Sequence, residues 1–466
     1  MACFYRPQVR TFQRRSLAAC IAALLAVNTV AASADDEAIV ALTPGNVLPA
    51  PNGFVRTVTN CDDSGPGSLR DTVFNAISGD VIDLTQLACS EITLYTGKIA
   101  LTKNDVTLLG PGLGPDATNH LTIRGYYYDR IFEKGLGTLT ISGLEIRNGH
   151  YQGFVHPRGG CIYSSGSLVI EDSIVSGCEV DALYGSNTFA AGGAIYTHGD
   201  LWMHNSVVTN SVAYSATDVA YGGGVSAGGV VTFVQSTIAD NKAVAPQAYA
   251  IGGGLMVFGV NDVNILRSTI SGNEAELAGG MRVDTLGVST ITDSTLSGNY
   301  ASQYVGAASF SHSPVRLTNS TVTRNSAYAY TAGIYSDQAI TVQSSILADN
   351  RAVGAYIAYD LAAPSITGGA SLIMSADVST PADTITQCPR LAALKDNGGP
   401  TLTHAILPGS PGIDVGDDSG LTVDQRGGGY LRVMGANADI GAFEWQGELD
   451  DNIFKSAFEV ECDRYD

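Results

Sequence analysis

A short phrase returns seven times through the middle of this chain, and its period restricts the fold more than any other feature. It reads Asp172-Ser173-Ile174, Asn205-Ser206-Val207, Gln235-Ser236-Thr237-Ile238, Arg267-Ser268-Thr269-Ile270, Asp293-Ser294-Thr295-Leu296, Asn319-Ser320-Thr321-Val322 and Gln343-Ser344-Ser345-Ile346. The first Ser of each copy follows the previous one by 33, 30, 32, 26, 26 and 24 residues. Most copies are followed by an Asn: Asn210, Asn241, Asn273, Asn299, Asn325 and Asn350. Small residues come next, from Gly192-Gly193 through Gly222-Gly223-Gly224 to Ala332-Gly333, and an alternating strand leads into the next copy. A period of this length means stacked units, each too small to bury its own apolar face.

The units hold short β-rich runs and no helical pattern, so the chain is expected to be all-β. The predicted architecture is a right-handed parallel β-helix of three-sided coils, with an N-terminal cap and a small C-terminal domain. Ile, Val and Leu stack inward at about 4.8 Å per coil. The repeated Asn are expected to form a ladder of amides, each bonding the next coil. Roughly ten coils fall between residues 100 and 375, a rod of about 50 Å.

The ends carry different signals. Residues 1–34 read as a signal peptide, with Arg10, Arg14 and Arg15 ahead of the apolar run Leu17–Val30 and a small-residue cleavage pattern at Ala32-Ser33-Ala34. That segment holds four Arg and no acid, so its removal takes the net charge from −20 to −24. Such a charge argues against nucleic acid and anionic membrane surfaces as partners. No later segment has the length and apolarity of a transmembrane helix. The expected divisions are a linker at 35–54, a cap at 55–98, coils at 99–375, a C-terminal domain at 376–446 and an acidic tail at 447–466. An exported chain with six remaining Cys favours disulfides. Six Cys allow fifteen pairings; proximity suggests Cys61–Cys89, Cys161–Cys178 and Cys388–Cys462. No Cys/His spacing suggests a zinc site built on cysteines.

Several stretches resemble known families. Gly67-Ser68-Leu69-Arg70-Asp71, Asp80-Val81-Ile82-Asp83-Leu84 and Val106-Thr107-Leu108-Leu109-Gly110-Pro111-Gly112 look like the opening cap of bacterial right-handed β-helix proteins. The fuller motif there is Cys-Ser-Leu-Arg-Glu-Ala, with Gly67 and Asp71 the departures in this chain. The Gly-Gly and Asn repeat resembles that of chlamydial polymorphic outer-membrane proteins, without their terminal barrel. Asn397-Gly398-Gly399-Pro400, Pro408-Gly409-Ser410-Pro411-Gly412-Ile413-Asp414, Asp424-Gln425-Arg426-Gly427 and Asp439-Ile440-Gly441-Ala442-Phe443-Glu444 together are similar to the choice-of-anchor Q domain. These resemblances imply a pectin-lyase-like scaffold and export to the cell surface. They do not imply a reaction, because one scaffold hosts many sites.

Aromatic residues mark the candidate binding face. Tyr184, Phe189, Tyr214, Tyr221 and Tyr249 fall between the Asn and Gly patches of successive coils, and Tyr300, Tyr304, Tyr328 and Tyr330 occupy the same zone later. Equivalent segments of a repeat lie on one face, where rings with a polar edge suit sugars or protein partners. The alternative is that each ring packs within its own loop. Asp414, Asp417 and Asp424, with Asp418 and Asp439, form an acidic group whose cation would be Ca²⁺; turn formation by Asp beside Gly explains the same pattern. Acid–base candidates are few: Asp262 and Arg267, then Glu274, Glu276, Arg282 and Asp284, with His198 and His204 flanking Asp200 and Trp202. The function expected is a surface scaffold that binds glycans or surface partners. The alternative is a polysaccharide lyase or hydrolase, with Ca²⁺ as the one cofactor such chemistry suggests.

Overall fold

Each coil alternates short strands with a corner that a particular residue type makes possible. In the computed structural model, which describes residues 53–446 apart from 114–119, 127–128, 184–187 and 355–357, the chain is a right-handed parallel β-helix. Three long parallel sheets of 12, 11 and 10 strands run its length. One representative coil passes from Ile195–Thr197 to Leu201–His204 to Val207–Thr209, then through the loop zone to Val225–Ala227 of the next coil. Inward columns are continuous: Phe132, Ile162, Ile195, Val225, Leu255, Met281, Ala308 and Ile334 stack strand upon strand and are fully buried.

The recurring Ser and Asn are the corners. Ser173, Ser206, Ser236, Ser268, Ser294, Ser320, Ser345 and Ser371 form one column, each hydroxyl after the first accepting the backbone N–H of the Ser before it. The residue ahead of each holds a left-handed φ: 46° at Asp172, 46° at Asn205, 45° at Ser344. The member in the seventh copy is therefore Ser345 and not Ser344, one residue later than the sequence period suggests. The second column runs Asn241, Asn273, Asn299, Asn325 and Asn350, each Nδ2 donating to the next Oδ1 at 2.8–3.1 Å. Asn210 is not part of it. Its φ of 53° makes it the turn residue, and Ser211 takes the ladder position, its N–H donating to Asn241 Oδ1. Asp360 closes the far end, accepting from Asn350 through both N–H (3.0 Å) and Nδ2 (2.8 Å).

All five ladder Asn are buried, so the amides satisfy backbone groups that water cannot reach. Asn299→Ala removes the acceptor of Asn273 N–H and Nδ2 and the donor to Ile270 O. The expected cost is about 2 kcal/mol, read from the midpoint of denaturant unfolding. A loss below about 0.5 kcal/mol would show that water or relaxation replaces the amide.

The loop zone is itself a sheet, which the sequence did not suggest. Eleven short strands make a fourth parallel layer. In the long coils it has two arms, such as Val212–Ser215 and Ala220–Tyr221, and both arms meet the single strand Glu274–Leu277 of a shorter coil. Alanines fill the space between the arms: Ala182, Ala190, Ala213, Ala220, Ala243, Ala250 and Ala275 form a second small core. Their size lets the two backbones approach closely.

Both ends of the described chain are fastened. Helix α1, Leu69–Phe74, is capped by Ser68 and buries Leu69. Arg70 reaches across to Lys98 O and Gly97 O, both at 2.6 Å. This is the work of the Gly67–Asp71 stretch. The Cys61–Cys89 and Cys161–Cys178 disulfides are present. Cys388 is also disulfide-bonded, while Cys462 lies outside the described residues.

The C-terminal segment forms a small antiparallel pair, Leu391–Lys395 with Thr403–Ile406, and lies along the side of the rod. Strands Thr269–Ser271, Thr295–Ser297 and Thr321–Thr323 are buried at every residue beneath it, unlike Val207–Thr209 further back. Their hydroxyls bond the segment directly: Thr269 to Leu402 O, Thr295 to Gln425 Oε1 and Ser297 to His404 Nε2. His404 Nδ1 donates to Ala392 O, so Nε2 accepts the Ser297 proton. Burial lowers the His404 pKa to about 4.

Candidate functional site

Register along the ten-stranded sheet brings outward side chains into columns. Glu133, Tyr163, Tyr196, Ser226, Met256, Arg282, Ser309 and Tyr335 occupy one such column. The loop-zone sheet stands beside it as a wall, with Tyr221, Ile251, Leu277 and Tyr304 in successive coils. Between floor and wall lies an open trough of about 560 Å³. Its polar groups are Arg282, Asp284, Ser309 and Thr331, and its rings are Tyr221, Tyr304, Tyr330 and Tyr335. A second depression of about 520 Å³ continues over Gln303, Tyr304, Tyr328 and Tyr330.

The backbone at the trough departs from the pattern of earlier coils. Gly192, Gly222 and Gly252 hold positive φ at the corner entering the ten-stranded sheet. The next two coils place Ala278 (φ 58°) and Val305 (φ 61°) there, and Tyr330 (φ 73°) lies beside that corner in the coil after. All three line the trough. A β-branched residue at left-handed φ is costly, and such strain gathers at functional sites. Here it puts side chains where glycine would leave space.

Arg282 is held by Ser309 Oγ and Ser311 Oγ, both at 2.7 Å. Asp284 Oδ2 lies 3.7 Å from its guanidinium, and His312 Nδ1 lies 3.0 Å from Asp284 Oδ1. Toward the N-terminus the floor is aromatic. Tyr163 and Tyr196 stack at 5.8 Å. Arg158 lies over Tyr196 and Phe189, and Arg130 over Tyr151 and Tyr163. Burial raises the pKa of Tyr196 and Tyr221. Burial, then Arg158, lowers that of His198.

The candidate aromatics divide among several places. Tyr221 and Tyr304 line the trough. Phe189 stacks on His156 and meets Tyr221 edge-on. Tyr214 and Tyr300 pair with Asp181 and Glu274 along other columns of the loop-zone sheet, and Tyr249 is 54% exposed at its rim. Tyr184 lies outside the described residues.

Of the acid–base candidates, Arg282 and Asp284 reach the trough. Arg267 is buried under the C-terminal segment, Glu274 pairs with Lys242 at 2.8 Å, and Asp262 accepts the Val288 N–H of a turn. His204 stacks on Trp202.

The C-terminal acids serve backbone and arginine. Asp414 accepts Ala436 N–H and Asp417 accepts Ser419 N–H. Asp424 is buried against Arg426 at 2.6 Å. Among the described residues these three do not converge as metal ligands.

Sequence reading missed Arg130, Arg158, Tyr163 and Tyr196. The signal was present in Ile162-Tyr163, Ile195-Tyr196 and Ile334-Tyr335, each following the Gly corner. It also missed a group at the start of the loop-zone sheet. There His150 and Glu179 are partners in register, as are Gln152 and Asp181. His150 Nε2 lies 2.8 Å from Asp181 Oδ2 and 4.0 Å from Glu179 Oε2. The Asp181 bond raises the His150 pKa; burial and the Asp181 charge raise that of Glu179.

No family model matches the chain, and no curated protein matches it. The crystal structure of the pectate lyase Pel9A is similar over 84% of this chain and 98% of that one, with a TM-score of 0.45 and 14% identity.

Proposed function

We propose that this protein is an exported scaffold that binds glycan chains in the trough between the ten-stranded sheet and the loop-zone wall. The trough itself carries the reading: exposed rings from several coils face a floor with a fixed cation and hydroxyls. Tyr304 is 46% and Tyr330 68% exposed. Ring faces take the apolar face of a sugar, while Arg282 and Ser309 supply directed donors. The disulfides Cys61–Cys89 and Cys161–Cys178 support an oxidising compartment. The likeness of residues 397–444 to the choice-of-anchor Q domain supports display at a cell surface.

The test is affinity electrophoresis against a panel of neutral and acidic polysaccharides. Tyr304→Ala and Arg282→Ala are each expected to weaken the retained polymer by about tenfold, near 1.4 kcal/mol. Unchanged retention in both variants would move binding elsewhere.

A second reading is cleavage of the bound chain. Asp284 with Arg282 and His312 gives a carboxylate beside two basic groups, which fits proton abstraction next to a neutralised acid group. New reducing or unsaturated ends, followed with Ca²⁺ and with chelator, distinguish the readings. Release of ends that disappears in Asp284→Asn would favour the enzyme; retention without release favours the scaffold.

A further inference from the structure

We propose that His150, Glu179 and Asp181 form a binding site for a divalent transition-metal ion, outside the trough. One imidazole nitrogen and two carboxylate oxygens, one from each residue, lie within 4.8 Å of one another. Ligands around a tetrahedral ion at about 2.0–2.1 Å stand about 3.3 Å apart, and the 2.8 and 4.0 Å separations from His150 Nε2 bracket that value. Only small side-chain rotations are needed.

Two further observations point to a cation. The two carboxylates approach each other, and among the described residues His150 alone forms an ion pair with either of them. In addition, Asp181 Oδ1 is buried and accepts no hydrogen bond. A cation between the two carboxylates would offset their mutual repulsion.

Gln152 completes the shell. Its amide nitrogen sits 3.0 Å from Asp181 Oδ2 and 3.2 Å from His150 Nε2. Turning the amide over puts its carbonyl oxygen there as a fourth ligand. The donor set excludes Ca²⁺ and Mg²⁺ as preferred ions, since both favour all-oxygen shells. Imidazole with carboxylate suits Zn²⁺ or its first-row neighbours.

The positions are fixed before any ion arrives. Glu179 follows Cys178, whose disulfide partner Cys161 also accepts the Gly149 N–H beside His150. One disulfide thus anchors both strands that carry ligands.

The test is calorimetric titration of the chelator-stripped full chain with ZnCl₂ and with MnCl₂. One saturable site per chain is expected. His150→Ala and Glu179→Gln should each weaken it by more than the roughly 10- to 100-fold lost with a supporting partner. His120→Ala, which removes a different His–carboxylate pair, should leave the titration unchanged. Cobalt substitution should give a visible absorption band that disappears in His150→Ala. No saturable site, or a site indifferent to both ligand variants, overturns the proposal.

Discussion

Asp293→Asn is expected to loosen the C-terminal segment from the coils and to lower stability by about 3–5 kcal/mol. Asp293 lies between Arg432 of that segment and Arg267 of the coil before it. Arg432 Nη1 stands 3.8 Å from Oδ1 and Arg267 Nε 4.0 Å from Oδ2. All three side chains are buried to within 2%. Asn tolerates the φ of 44° at this position, so the variant removes charge without adding backbone strain. Two guanidinium groups then share a dry space without the carboxylate between them. Denaturant unfolding reads the loss, and limited proteolysis between residues 376 and 444 reads the detachment. Adding Arg432→Met should recover part of the stability, because it removes one of the two buried cations. A loss under 1 kcal/mol, with no new cleavage, would mean that the segment holds through its hydroxyl contacts alone.

Asp360→Asn should act in the opposite direction, raising stability above neutral pH by about 3 kcal/mol. Burial, with Asp349 adding to it, raises the Asp360 pKa from 3.8 to about 6 despite bonds from Ser375 and Asn350, and each pKa unit is about 1.4 kcal/mol. A carboxyl with a raised folded pKa favours the folded chain fully below pH 3.8. That contribution is lost as pH rises through about 6. The amide suits the site at every pH. Its oxygen keeps both bonds from Asn350, and its nitrogen takes the place of Oδ2, 2.7 Å from Ser375 Oγ. The Ser375 proton can then turn to Ala358 O. The two proteins should unfold alike near pH 3.5 and diverge through pH 4–6, a difference that urea midpoints measure at each pH. Glu444, raised to about 7 by burial, shifts stability in the same sense. His404, lowered by burial, favours the fold above pH 6.5 and loses that favour as pH falls through about 4. Both groups are common to the two proteins, so the difference isolates Asp360. Parallel profiles would refute the assignment.

The fold was legible because the coil repeats its corner chemistry. The Ser and Asn columns lie one period apart in the chain and one strand spacing apart in space. The loop-zone sheet was not, since its two- to four-residue arms read as turn sequence until neighbouring coils pair with them. Asn210 misled for a related reason: Asn serves both as a ladder amide and as a left-handed turn residue, and only register separates the roles. Tyr221 and Tyr304 were legible as loop-face residues because every coil places that segment on one side. Arg158, Tyr196 and the His150 group were not, since their meaning depends on which residue sits one coil away. His150 and Glu179 are 29 residues apart, a spacing that no local motif covers.

The lateral seat of the C-terminal segment has a consequence for how long such a rod can become. Its contacts run from Thr269 to Thr321 and on to Ser344, which meets Asp417 N–H and Gly441 N–H. The segment therefore acts as a gauge of fixed span, and the number of coils beneath it cannot change without breaking the match. Among the described residues, the coils before Gln235 carry no such constraint. Lengthening by whole-coil duplication is open to the coils before Gln235 and closed to those after it.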